Sequence, residues 1–70
     1  MYKIKDINNL SILESYGYEK VNETAIAYMK RLTLEGDIIY ISHSGYITYY
    51  NQDDLSDLIN DGLVEEVSIY

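Results

Sequence analysis

TAIAYMKRLTLEGDIIYISHSGYITYY, running from Thr24 to Tyr50, is the stretch whose reading decides the fold. Within it, Ile38, Ile39, Tyr40 and Ile41 are consecutive β-formers bounded by Gly36 and by His43-Ser44-Gly45, which predicts a strand from Asp37 to Ser42. Gly45 can adopt the positive φ of a tight hairpin, so Tyr46 to Tyr50 is expected to return antiparallel. Alternation then turns Ile39, Ile41, Ile47 and Tyr49 inward and leaves Ile38, Tyr40, Tyr46, Thr48 and Tyr50 on a wetter face.

The first part of the stretch, Thr24 to Leu34, reads two ways. As a helix it offers Asn22 as a cap and Ala25, Ile26, Met29 and Leu32 on one stripe, with modestly favourable propensity. As a strand it places Ile26, Tyr28, Lys30, Leu32 and Leu34 on one face and Ala25, Ala27, Met29, Arg31 and Thr33 on the other. The strand is preferred, because Glu35-Gly36-Asp37 resembles a hairpin connection and two short strands alone are marginal.

Working outward, Tyr18 to Val21 alternates apolar with charged and could start a strand. Before it, Ile7, Leu10 and Leu13 recur at spacing three, Asp6, Asn8, Asn9 and Ser11 can cap, and Gly17 is a left-handed stop; these predict a helix from Asn8 to Tyr16. Tyr2 to Lys5 is a short extended lead-in. Beyond the stretch, Leu55, Leu58, Ile59 and Leu63 predict an amphipathic second helix closed by Gly62, with Asp53 and Asp54 in its first turn, where the helix dipole favours anions. The tail alternates weakly and could add an edge strand through Val64 to Ile69. The expected fold is therefore α+β: one domain over residues 1–70, with a small antiparallel meander of three strands, or four with an added edge, and an N-terminal and a C-terminal helix on one face.

Charge is distributed unevenly. Asp53, Asp54, Asp57, Asp61, Glu65 and Glu66 follow Asn51 with no Lys or Arg among them, whereas the first fifty residues hold six acids against five bases. The formal charge of −7 thus divides into −1 and −6. With 47% apolar residues the chain is globular in composition. It has no Cys, so neither a disulfide nor a thiolate metal site is available. Neither a signal peptide nor a membrane span is expected, and a cytoplasmic setting is the default. Nine Tyr without Phe or Trp suit an amphipathic surface; the codon usage of an AT-rich genome explains them equally well.

Little in the chain points to catalysis, and no catalytic, cofactor or metal residue is assigned. Asp53, Asp57 and Asp61 recur every four residues, but an acid/base pair needs a carboxylate raised by burial or by a close like charge, and a convex helix face offers no cleft. The run from Asp57 to Ser68 superficially follows a calcium loop with Gly62 at its sixth place, yet Ile59 and Ser68 occupy ligand positions. His43, the only histidine, sits in a turn without a third group to orient it. Direct nucleic-acid binding is disfavoured by the negative total charge. An acidic ladder spaced by one helical turn fits the reverse role, occupying a basic groove meant for phosphates.

LSILESYGY (Leu10 to Tyr18), GDIIYISHSGYITYY (Gly36 to Tyr50) and DLINDGLVEEV (Asp57 to Val67) together resemble small acidic uncharacterised proteins of phages and prophages of AT-rich Gram-positive bacteria. That resemblance implies a shared fold and a phage origin. By analogy with anti-CRISPR and other anti-defence inhibitors, it also implies a non-enzymatic protein in the host cytoplasm. Its partner would be a host protein with a basic surface, such as a nucleic-acid-guided defence nuclease. The six acids would supply steering, and Tyr40, Tyr46 and Tyr50 the anchors. The alternative is a structural or assembly component that forms a homodimer through its tyrosine-rich sheet face.

Overall fold

A computed structural model describes residues 1–49 and 51–68. In chain order the elements are β1 (Tyr2–Ile4), a first 3₁₀ helix (Ile7–Tyr16), β2 (Glu19–Lys20), β3 (Ile26–Arg31), β4 (Ile38–Ser42), β5 (Ile47–Thr48), a second 3₁₀ helix (Gln52–Leu55), α1 (Ser56–Asn60) and β6 (Val64–Glu66). The class is α+β with antiparallel sheets.

Four strands form the main sheet in the order β2-β3-β4-β5, each pairing with its chain neighbour. Thr24 to Leu34 therefore contributes a strand, as its connection to the next one suggested. The alternation within it is broken, however. The register shifts between Ile26 and Tyr28, so Ile26 stands opposite Ser42 while Tyr28 stands opposite Ile41. This bulge lets both Ala27 and Tyr28 enter the core and moves Ile26 to the other face, correcting the strict alternation expected there. Leu34, expected on the same face as Tyr28, stands in the β3–β4 turn with 97% of its surface exposed.

The meander has four strands rather than three because Glu19 and Lys20 pair with Met29 and Tyr28. The tail does not join it. Instead, β6 pairs antiparallel with β1 in a second sheet, with Tyr2 opposite Glu66, Lys3 opposite Glu65 and Ile4 opposite Val64. Burial explains the choice, since Ile4 and Val64 face each other inside the core and neither three-residue strand would persist alone. An isolated bridge between Lys3 and Tyr46 and the Ile4 N–H donating to the Gly45 carbonyl at 2.8 Å tie the second sheet to the meander.

Both helices depart from the expected α-helices. The first is 3₁₀ with a kink at Asn9, begins one residue early at Ile7, and is capped by Asp6, whose carboxylate accepts the Asn8 N–H at 3.1 Å. Beyond the kink, Leu10, Leu13 and Tyr16 recur every three residues and pack on the core, which three residues per turn keeps on one ridge, whereas Ile7 before the kink is exposed. Gly17 stops it in the left-handed region at φ 88. The second helix is divided between a 3₁₀ turn and five α-helical residues, so Asp61 serves as its C-cap. Asn51 caps it by accepting the Asp53 N–H at 3.0 Å.

The core is closed by Leu13, Ile39, Ile41, Ile47, Leu55 and Leu58, all fully buried. Each contributes about 1.5–3 kcal/mol by leaving water. The expected inward face of β4 and β5 is thus observed, with Tyr49 half-buried against Tyr2 at 6.0 Å between ring centroids.

Candidate interaction surface

The six expected acids lie on two adjoining segments. Leu55 and Leu58 pin the segment Gln52–Asn60 to the core, and the Leu63 N–H donating to the Leu58 carbonyl at 3.0 Å leads the chain directly into β6. Asp53 is exposed in the first turn, and Asp54 and Asp57 are half-buried beside it. Asp57 Oδ1 accepts the Leu58 N–H at 2.8 Å. Glu65 and Glu66 are exposed on β6, opposite Lys3 and Tyr2.

Asp57 and Asp61 do not form a free outward ladder with Asp53. Tyr16, at the end of the first helix, donates its hydroxyl hydrogen bond to Asp61 Oδ2. That bond, followed by burial and by the charges of Asp61 and Asp57, raises the Tyr16 pKa above its ordinary value. Tyr18, two residues on, is buried, and its hydroxyl has no hydrogen-bond partner among the described residues. Burial first, then the charges of Asp57 and Asp54, push the Tyr18 pKa strongly up. The inner flank of the acidic segment therefore rests against two neutral tyrosines. Asp53, Asp54, Glu65 and Glu66 accept no hydrogen bond among the described residues and are the acids free to meet a partner. No local signal joins Tyr16 to Asp61, which stand 45 residues apart in the chain.

Two of the expected tyrosine anchors, Tyr40 and Tyr46, fall in adjoining rows on the outer face of the main sheet. Tyr40 sits half-buried in the middle of β4, in a row with Met29 of β3 and Thr48 of β5. Tyr46 is 44% exposed beside the bridge to β1, with the Lys3 ammonium 5.3 Å from its ring centroid, a cation–π contact. Tyr50 lies outside the described residues. A second cation–π contact, Lys30 over Tyr18 at 5.2 Å, lies on the inner side of the sheet.

Other chemistry is sparse. His43 Nε2 hydrogen-bonds the Glu23 carbonyl at 3.0 Å, holding two loops together. An open groove beside it is lined by Ile7, Leu10, Val21, Tyr28, Lys20 and His43. Tyr28 donates to Glu14 Oε2 at 2.9 Å, and burial followed by this bond raises its pKa. Among the described residues no three His, Cys, Asp or Glu side chains gather closely enough to hold a metal ion, and no helix is long and apolar enough to cross a membrane. Comparison with protein families, curated proteins and solved structures finds no match to this chain.

Proposed function

We propose that this chain is a non-enzymatic inhibitor of phage type that binds a basic, nucleic-acid-binding surface of a host protein in the cytoplasm and competes there with the nucleic acid. The observation that supports this reading is the anchoring of the acidic segment. Leu55, Leu58 and Val64 are buried, so Asp53 and Asp54 on one segment and Glu65 and Glu66 on the next are presented from a fixed backbone rather than from a loose tail. From Asn51 to Ser68 there is no basic side chain to neutralise them. A fixed array of like charge steers encounter with an oppositely charged surface and sets its register.

The test uses the immobilised chain to capture host proteins at low salt, followed by a competition measurement on the purified partner. Stoichiometric addition of the chain is expected to displace nucleic acid from that partner, with affinity falling steeply as salt rises. Asp53→Lys combined with Glu66→Lys, two exposed positions whose carboxylates hold no hydrogen bond among the described residues, should slow association about tenfold. A partner that keeps its nucleic acid while bound, or binding indifferent to both salt and charge reversal, overturns the reading.

A further inference from the structure

The outer face of the four-stranded sheet carries an apolar surface that the fold itself does not use. Register places Glu19, Met29, Tyr40 and Thr48 in one row across all four strands, and Arg31 opposite Ile38 in the next. Met29, Ile38 and Tyr40 are half-buried, yet none belongs to the side chains packed against the core. Among the described residues these two rows hold one acid, Glu19, and one base, Arg31, and so balance to neutral in a chain of charge −7. Two copies of such a chain repel each other wherever their acidic ends approach, and least where these neutral rows meet their equals.

We propose that a second copy of this chain docks face to face on this surface, forming a two-fold dimer. The register itself supplies the complementarity. Rows two residues apart on a strand are separated by about 6.8 Å, and packed sheets lie about 10 Å apart. A two-fold axis running across the strands, midway between the two rows, exchanges one row for the other. It lays Ile38 of one copy over Tyr40 of its partner, and Arg31 over Met29 beside Glu19 of the partner subunit. Because the contact is isologous, the Arg31–Glu19 pair forms twice. A chain of 70 residues buries only about 60% of its unfolded surface, so covering this strip adds stability where the core is small. Tyr46, on the far side of the Glu19–Thr48 row from this axis, takes no part. The dimer is independent of the basic-partner reading, which uses Gln52 to Glu66.

Sedimentation and light scattering from low micromolar to millimolar concentration test it. A concentration-dependent dimer is expected, and Tyr40→Lys should return it to monomer with an unchanged circular dichroism spectrum. Glu19→Arg alone should weaken dimerisation at least about tenfold by setting Arg31 against a like charge, and Glu19→Arg with Arg31→Glu should restore it. A chain that stays monomeric throughout overturns the proposal. So does a dimer that survives Tyr40→Lys, one that the charge swap fails to restore, or one broken by Tyr46→Lys instead.

Discussion

The two turns that flank β4 are both built on glycines with positive φ, 112 at Gly36 and 91 at Gly45, and they do opposite things. Around Gly36 there is open space, the adjacent Leu34 is solvent-exposed, and the turn is held by its own atoms, with the Asp37 N–H donating to Thr33 Oγ1 at 3.2 Å. Around Gly45 the molecule closes. A Cβ there would lie 3.0 Å from Ile7 Cγ2 and 3.3 Å from Ile4 Cβ, and the Gly45 carbonyl accepts the Ile4 N–H at 2.8 Å. One glycine answers only a backbone requirement. The other also lets β1 and the first helix approach the meander.

The sharpest way to break this comparison is to place the same methyl group at both positions. Gly45→Ala meets the positive-φ cost of roughly 1–2 kcal/mol and an overpacking cost of similar size, for an expected loss of about 2–4 kcal/mol. A domain of this length holds only roughly 4–10 kcal/mol in total, so much of its stability goes. Gly36→Ala meets the backbone cost alone and should lose about 1–2 kcal/mol. Urea denaturation of the two variants measures both. Equal losses would mean that the crowding at Gly45 relaxes freely, and that β1 is not locked onto the turn.

The difference between these turns was only half legible in the sequence. Gly36 and Gly45 both announce hairpins, and the strand around Ile38 to Ile41 is plain from its β-branched run, but nothing local says that Ile4 and Ile7 press on one turn and not the other. The same limit recurs elsewhere. The spacing of Ile7, Leu10 and Leu13 pointed to a helix, but spacing by three suits an α-helix as well as a 3₁₀ helix, so neither the 3₁₀ geometry nor the kink at Asn9 was legible. The bulge at Ala27 could not be read, because one extra residue exchanges faces that strict alternation assigns. Pairing of the tail with Tyr2–Ile4 depends on two buried residues sixty positions apart, Ile4 and Val64. The acids of the candidate surface were legible as a count. Which of them are free was not, since Tyr16 reaches Asp61 from the other end of the chain.

Away from the two turns, three tyrosines are expected to make stability sensitive to alkali, which extends the contrast from packing to protonation. Tyr16, Tyr18 and Tyr28 all have pKa values raised in the folded chain, while an unfolded tyrosine ionises near 10. Above that pH the unfolded chain releases protons that the folded chain keeps, so stability is full below about pH 10 and falls as pH rises further. Tyr18→Phe removes the most strongly shifted of the three, together with a buried hydroxyl that has no partner among the described residues. It should stabilise the chain by about 1 kcal/mol at neutral pH and flatten the alkaline decline. Urea midpoints measured from neutral to alkaline pH check both effects. An unchanged pH profile in Tyr18→Phe would place the sensitivity in Tyr16 and Tyr28 alone.

The smallest expected effect belongs to the open turn. With 97% of its surface in water, Leu34 has almost nothing to lose, so Leu34→Ser should change stability by less than about 0.5 kcal/mol, or a few degrees in Tm. Amide exchange sharpens the comparison at the same two places. The Gly36 N–H, donating to Thr33 at 3.4 Å in an exposed turn, should exchange by local opening, whereas the Ile4 N–H donated to Gly45 should exchange only when the second sheet leaves the meander. If Leu34→Ser proves costly and the cost grows with protein concentration, another molecule covers the open turn in solution. The two turns would then differ in what closes them, one by the chain's own N-terminal strand and the other by a neighbour.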